Sequence, residues 1–301
     1  MFAKYTYKAN AAQGNVLNDI ALLLTGTTNK ALLSADCVQA STEIIAVNPA
    51  GWSLFDAAAG TNKKCLSAPC ANGGTKYVVL STATSGYVYL PLYESWNAVT
   101  HAGTNVTNGS ETSTTMAPPV NLTLGGTLLI GATERYLVMS GYTAAGWMAN
   151  GAVIIGEREP VDPWDTVAAG YPVSVHGTAL SLATGGNYFY APRLKGASSD
   201  YTGSSAIYCA ATAALNSSGA PPCPTQMARD ANFQPVYPLF PISLTGYHSS
   251  LGYVHQGGRL LGDLYATTSG VGTTGDELPV GADIYCIAKA GASAALAFPK
   301  F

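Results

Sequence analysis

Two carboxylates two residues apart, Glu157 and Glu159, have the type and spacing that acid–base chemistry could use. They lie in a strand-like segment, so both side chains face one side of the strand and Arg158 faces the other. Glycosidases use two carboxylates separated by about 5 to 10 Å. A pair at a strand end is more often a solvated rim that meets cations of a neighbouring subunit. Both interpretations stay open, and we expect the rim.

The four histidines, His101, His176, His248 and His255, lack the His-x3-His spacing of a zinc-binding helix. A general base needs an acid or a nucleophile within hydrogen-bond reach. The chain has many serines but no Gly-x-Ser-x-Gly nucleophile elbow. We therefore expect no catalytic residues and a protein that is not an enzyme.

The cysteines predict free thiols. Cys65 and Cys70 are separated by four residues, and Cys209 and Cys223 flank an uncharged segment. Neither pair is accompanied by the second short Cys or His pair that a zinc site usually has. A disulfide formed late, after release from the cell, is the alternative.

The acidic residues and the glycines of the C-terminal part predict neither a metal nor a cofactor. The acids are Asp263, Asp276, Glu277 and Asp283, and they lack the alternating pattern of a calcium loop. The Gly-rich stretches 257–259 and 270–272 lack the Lys of a phosphate-binding loop, so turns are expected there.

Charged residues are scarce. Asp, Glu, Lys and Arg make up 10% of the 301 residues, against about 25% in an ordinary soluble domain. Residues 204–228 contain none of them, and no His. A lone protein needs surface charge to stay apart from its neighbours. We therefore expect a homo-oligomer whose surfaces are largely covered by other subunits.

The same composition argues against two classes of partner. The net charge is -3 and no basic stripe occurs, so we expect no nucleic acid. No uninterrupted apolar run reaches the roughly 18 residues of a membrane-spanning helix, so we expect no membrane. The N-terminus has no apolar signal-peptide core, which predicts synthesis in a cytoplasm.

Tyrosine is abundant, with 18 residues in the chain. It buries a large area at low entropy cost and keeps a hydrogen-bonding tip, as contact surfaces favour. Seven aromatic residues are expected either at subunit contacts or in the β core beneath those contacts, and the two placements have equal weight. The aromatic residues concerned are Tyr87, Tyr89, Tyr93, Trp96, Tyr188, Phe189 and Tyr190.

Periodicity predicts a mainly β fold, with β-sandwich or barrel-like sheets and one or two short N-terminal helices. The first helix is capped by Asn15 and ends at Gly26, and a second covers 30–35. Segment 56–74 is expected to be a loop, and the tail 291–301 is flexible in composition. Further strands are expected at 42–47, 52–55, 77–81, 87–96, 120–124, 127–132, 135–140, 152–159, 188–193, 206–211, 237–244, 260–267 and 283–288.

Two domains are expected, a helix-plus-β domain at 1–165 and a Gly/Ala/Pro-rich β domain at 166–301. The charged segment 157–165 ends the first. Pro91 suits a bulge or an edge strand, and strand addition between subunits is expected along 87–96. The long polar loop 97–119 is expected to bind a partner or to be mobile.

A series of short motifs resembles a family of tailed-bacteriophage virion structural proteins. The motifs lie at 52–56, 66–73, 76–78, 93–97, 133–137, 157–171 (with Asp162-Pro163-Trp164-Asp165) and 257–260 to 283–285. The resemblance implies a component of the tail, baseplate or neck without catalysis, so it supplies no catalytic residues.

The expected function is therefore a structural part of a phage virion, made in the host cytoplasm, present in multiple copies and contacting other virion structural proteins. One alternative is a host-recognition or carbohydrate-binding tail module, with aromatic side chains beside Asn and Asp in a groove. Another is a capsid decoration protein. A hydrolase that uses Glu157 or Glu159 is the enzymatic rival.

Overall fold

Antiparallel β-strands make up most of the computed structural model, and the prediction of a mainly β fold is confirmed. One α-helix lies near the N-terminus of the described chain. The structure describes residues 1–26, 30–38, 44–45, 50–82, 88–105, 122–143, 146–159, 169–177, 187–190, 207–210, 228–229, 235–236, 239–248, 253–268, 274–290 and 294–300.

The elements are as follows in chain order. The first part contains β1 (Phe2–Tyr7), α1 (Gln13–Leu24), a 3₁₀ turn (Lys30–Leu32), β2 (Ile44–Ile45), β3 (Ser53–Gly60), β4 (Lys63–Pro69), β5 (Thr75–Ser81), β6 (Leu92–Asn97) and β7 (Ala102–Asn105). The middle part contains β8 (Gly126–Ala132), β9 (Leu137–Thr143), β10 (Gly146–Glu159), β11 (Tyr171–Gly177), β12 (Asn187–Tyr190), β13 (Ile207–Ala210), β14 (Ala228–Arg229) and β15 (Pro235–Val236). The last part contains β16 (Phe240–Pro241), β17 (Ser243–His248), β18 (Tyr253–Leu260), β19 (Tyr265–Thr268), β20 (Glu277–Val280), β21 (Asp283–Ala290) and β22 (Ala294–Pro299).

The largest sheet has ten strands in the order β13-β17-β18-β10-β9-β8-β1-β2, with β11 and β12 joined beside β10. Strand β1 was not among the sequence predictions. Its residues alternate as a half-buried strand requires, since Ala3, Tyr5 and Tyr7 are buried. It pairs with β8 over its full length. The Met1 ammonium donates to the carbonyl of Ala132 at 2.8 Å, which fixes the start of the chain.

A five-stranded sheet, β3-β4-β5-β6-β7, packs with α1 against the largest sheet. The predicted helical face of Val16, Leu17, Ile20, Leu23 and Leu24 is buried. It belongs to one core cluster with apolar side chains of both sheets. The main core therefore lies between the helix and two sheets.

A second five-stranded sheet, β16-β19-β22-β21-β20, contains the C-terminal strand. The prediction of a flexible tail at 291–301 is wrong for residues 294–300, because Leu296 and Phe298 are buried and β22 pairs on both sides. The ring centroid of Phe298 lies 6.0 Å from that of Phe2. The two ends of the described chain thus pack together.

Three local predictions are corrected. The expected loop 56–74 contains strands, because Cys65, Leu66 and Ala68 of β4 are buried in the sheet. The expected helix at 30–35 is a 3₁₀ turn. Helix α1 begins at Gln13 after Ala12, so Asn15 does not cap it.

The prediction of strand addition along 87–96 is wrong for residues 92–96. Strand β6 pairs with β5 through Tyr93 and Tyr77, and with β7 through Tyr93 and Asn105. Residues 92–96 are therefore interior to the sheet. Strand β3 occupies an edge of this sheet instead.

The domain division at 165 stays a prediction. The ten-stranded sheet contains strands from both sides of that position, since β10 pairs with β11 and with β18. Residues 160–168, at the expected boundary, lie outside the described residues.

Candidate functional site

A buried lysine lies at the centre of the densest ionic cluster that the structure describes. The Nζ of Lys76 donates to Glu157 Oε1 at 2.6 Å, and to the carbonyls of Pro69 at 2.7 Å and Glu134 at 2.6 Å. An ammonium has three protons, so these acceptors use its full capacity. The Trp52 ring lies beside it, with its centroid 5.7 Å from Nζ.

Both carboxylate oxygens of Glu157 have partners. Its second oxygen, Oε2, accepts from the Ala71 N–H at 2.9 Å and lies 3.4 Å from an Arg135 nitrogen. Its side chain has no exposed surface. The expectation of a solvated rim is wrong for Glu157, because its side chain is buried and the cations beside it, Lys76 and Arg135, belong to the same chain. A general acid or base must come within hydrogen-bond reach of a substrate, and the Glu157 side chain has no exposed surface through which a substrate could reach it.

Glu159, two residues further along β10, has a different environment. Its side chain is partly exposed and forms an ion pair with Arg259, its cross-strand neighbour on β18. The expectation of a solvated rim agrees with the partial exposure of Glu159, but the cation that it meets, Arg259, belongs to the same chain and not to a neighbouring subunit. The two carboxylates thus have separate partners, one buried and one at the surface.

A second cluster is centred on Asp56 of the edge strand β3. Its Oδ2 accepts from Trp96 Nε1 at 2.9 Å and pairs with His101 Nδ1 at 2.8 Å. Burial raises the pKa of Asp56, but hydrogen bonds from His101, Trp96 and the Ala58 N–H outweigh it, so the pKa lies below its ordinary value. An ionised carboxylate only accepts, so Nδ1 of His101 carries the proton.

The Asp56–Trp96 bond joins β3 to β6, and two strands, β4 and β5, lie between these two in the sheet order. His101 adopts a left-handed backbone with φ of 52° at the end of the β6–β7 turn, a conformation that costs about 1 kcal/mol or more. Asp56 and His101 resemble part of a catalytic triad, but the hydroxyls of Ser95 and Thr104 on the same hairpin bond each other. We therefore interpret the Asp56–His101 pair as a structural contact between β3 and the β6–β7 turn, and call it the Asp56–His101 clasp.

Two further carboxylates fix α1. Asp36 accepts from the Ala12 N–H at 2.9 Å and from Asn15 Nδ2 at 2.8 Å, and Lys8 Nζ lies 2.7 Å from it. It supplies the negative charge that a helix N-terminus favours. Within the helix, buried Asp19 accepts from the Tyr5 hydroxyl at 2.8 Å and from the Ser34 N–H at 2.7 Å.

The predicted interface aromatics are partly described. Tyr89, Tyr93 and Trp96 are buried in the chain's own core, which favours the core placement for these three. Tyr93 and Trp96 pack edge to face at 5.0 Å. Tyr188, Phe189 and Tyr190 lie in β12, where the structure describes the backbone but not their side chains. Tyr87 lies outside the described residues.

The described cysteines Cys37, Cys65, Cys70 and Cys286 are buried and stand in no disulfide, in agreement with the expected thiols. Burial raises the pKa of Cys65 to about 12, of Cys70 to about 11 and of Cys286 to about 12. Such thiols are protonated and unreactive near neutral pH. Cys223 lies outside the described residues.

A groove of about 360 Å³ lies on the C-terminal sheet, between Asp263, Asp283, Tyr285 and Lys300. The rings of Tyr265 and Tyr285 meet edge to face at 5.9 Å. Burial, and then the neighbouring Asp263, raise the pKa of Tyr265. Carboxylates beside tyrosine rings offer both hydrogen-bond acceptors and an apolar surface to a polar ligand.

Among the described residues, no group of three or more His, Cys, Asp or Glu side chains is placed to hold a metal. Within the same residues, no helix has the length and apolarity needed to span a membrane. His176, His248 and His255 lie in β11, β17 and β18, and their side chains lie outside the described part.

Comparison with known proteins finds no match, either among protein-family models or among curated proteins.

Proposed function

We propose that this chain is a structural subunit of a bacteriophage virion, in the tail, baseplate or neck, and that it assembles in multiple copies. The phage assignment rests on the series of motifs that resemble virion structural proteins. The assembly proposal rests on the physical character of the surface. The role is mechanical and needs no catalytic site.

The way in which the chain uses its few charges supports this proposal. Asp19, Asp36, Asp56 and Glu157 are buried and hydrogen-bonded within the fold, and so is Lys76. They hold elements together, so a chain with 10% charged residues has still fewer at its surface. Weak charge repulsion allows close contact between copies.

Large apolar side chains are exposed at the same time. Among the residues whose side chains the structure describes, seven large apolar ones are more than a third accessible: Leu32, Val38, Leu54, Phe55, Val99, Leu124 and Ile284. Single exposed apolar residues are normal, but apolar exposure together with few charges favours surfaces that other subunits cover.

Light scattering of the purified chain tests the assembly proposal. We expect an oligomer whose mass is unchanged between about 0.1 and 1 M salt, because apolar contacts are not screened as ion pairs are. A monomer at high concentration would contradict it.

Mass spectrometry and immunogold labelling of purified phage particles test where in the virion the protein lies. Labelled tails would support the proposed position, and labelled capsids would favour a decoration protein.

A carbohydrate-binding tail module is the second candidate, and the groove at Asp263, Asp283 and Tyr285 favours it. Paired carboxylates accept from sugar hydroxyls, and a tyrosine ring packs against the apolar face of a sugar. A glycan array tests it with the wild type and Asp283→Asn, and with Glu94→Gln as a control outside the groove. Binding that Asp283→Asn alone abolishes would support this function.

A further inference from the structure

A groove of about 340 Å³ lies between α1 and the first two strands of the five-stranded sheet. Its volume falls within the range of small-molecule sites. Most of the lining residues that the structure describes are polar, and they include Asn15, Asn18, Asp19 and Lys64. Such a lining suits a ligand that carries polar groups.

The periods of α1 and β4 bring polar side chains to both walls of this groove. Asn15, Asn18 and Leu22 follow one another at intervals of three and four residues, so they share one face of the helix. On the strand, Lys64 lies two positions before Leu66 and therefore shares its face. Leu66 belongs to the core cluster that contains the buried side of α1. Lys64 thus faces the helix across the groove.

Lys64 is only partly exposed, yet within the described part of the chain it makes no ion pair and no hydrogen bond. By contrast, Lys8 and Lys76 each lie within ion-pair distance of a carboxylate, and so does Lys300. The side chain of Asn18, on the helix wall, likewise has no hydrogen-bond partner in the described segments. An ammonium and an amide N–H are the donors that bind an anion.

The second charge in the groove, Asp19, limits how much negative charge a ligand can carry. Its carboxylate is buried and accepts from the Ser34 N–H and hydroxyl, both at 2.7 Å, and from the Tyr5 hydroxyl at 2.8 Å. These donors offset part of its charge. A dianion would still be repelled more strongly than a monoanion, so a single negative charge fits best.

The apolar part of the lining adds a second requirement. Leu32 and Leu54, which line the groove, are 63% and 44% exposed. Contact with a hydrocarbon chain would remove this apolar surface from water. The ligand that fits is therefore both anionic and aliphatic.

We propose that this groove binds a small monocarboxylate with an aliphatic chain. Lys64 and Asn18 hold the carboxylate, and Leu22, Leu32 and Leu54 pack against the chain. The lining comes from a single copy of the protein, so binding is separate from the proposed assembly.

Isothermal titration calorimetry of the full chain with octanoate tests the site. We expect saturable binding that Lys64→Met weakens at least about tenfold, because the variant removes a charge-assisted hydrogen bond and keeps the apolar stem. Lys63→Met is the matched control. Lys63 lies two positions before Cys65, which packs with Trp96 in a separate cluster, so this variant should bind within about twofold of the wild type. Circular dichroism verifies that both variants fold.

Three further ligands test the two parts of the recognition on the wild type, whether or not a variant folds. Acetate has the charge without the chain, octanol has the chain without the charge, and inorganic phosphate carries more charge. Each should bind at least about tenfold more weakly than octanoate, since each lacks one contribution or meets repulsion from Asp19. Octanoate binding that does not saturate, or that Lys64→Met leaves as strong as Lys63→Met does, would overturn the proposal. Octanol or phosphate bound as tightly as octanoate would overturn it as well.

Discussion

The Nζ of Lys76 lies 2.6 Å from Oε1 of Glu157, and neither side chain has exposed surface. Lys76 belongs to β5 of a five-stranded sheet and Glu157 to β10 of the ten-stranded sheet. Removing two ions from water costs several kcal/mol each, and complete hydrogen bonding offsets much of that cost. The pair therefore fixes how two sheets meet.

Removing one partner should be costly. In Glu157→Gln the Lys76 charge stays buried without its counter-charge, so we expect a loss of about 3–5 kcal/mol in the free energy of unfolding. Glu159→Gln is the matched control two residues away. Its pair with Arg259 is partly exposed, so its loss should stay below about 1 kcal/mol. Urea titrations at pH 7 measure both, and equal losses would refute a structural role for the buried pair.

Acid should release the helix N-terminus. Hydrogen bonds from Lys8, the Ala12 N–H and Asn15 lower the pKa of Asp36 to about 2. A lowered folded-state pKa adds stability above the unfolded value of about 3.9, and this stability is lost as the pH falls towards 2. We expect Asp36→Asn to cost about 1–2 kcal/mol at pH 7. The difference from the wild type should shrink between pH 5 and pH 2 in urea titrations, and a constant difference would contradict the assignment.

Gly131 should tolerate no side chain. A Cβ there would overlap the ring of Phe298, whereas a Cβ at Gly14 in α1 would meet nothing within 4 Å. We expect Gly131→Ala to lose about 1–3 kcal/mol by overpacking. Gly14→Ala should gain up to about 1 kcal/mol from helix propensity. Thermal unfolding compares the two, and a neutral Gly131→Ala would show that the C-terminal sheet can shift.

Some of the fold could be predicted from local pattern. The spacing of Val16, Leu17, Ile20, Leu23 and Leu24 located the buried face of α1, because a period near 3.6 is encoded within one segment. The mainly β class followed from short apolar runs between turn residues. Strand β1 was missed because it is only six residues long and lies close before α1. Its alternation of buried and partly exposed residues becomes informative only once β8 is known to pair with it.

The ionic clusters could not be predicted, because their partners are distant in sequence. Glu157 meets Lys76 across 81 positions, and Asp56 meets His101 across 45. A signal was nevertheless present. In a charge-poor chain, a lone charge inside an apolar run, such as Asp19 in α1 or Lys76 before Val78, is a candidate for a buried, paired group.

The buried thiols should not react in the folded protein. Because burial raises the pKa of Cys65 and Cys286 to about 12 and of Cys70 to about 11, the thiolate that attacks an alkylating reagent is nearly absent at pH 8. Peptide mass spectrometry after iodoacetamide treatment should find these three cysteines unmodified in the native protein and modified in urea. The engineered thiol of Val99→Cys, on an exposed turn, should react under both conditions. Rapid native labelling of Cys65 would show that the five-stranded sheet opens at the Asp56–His101 clasp.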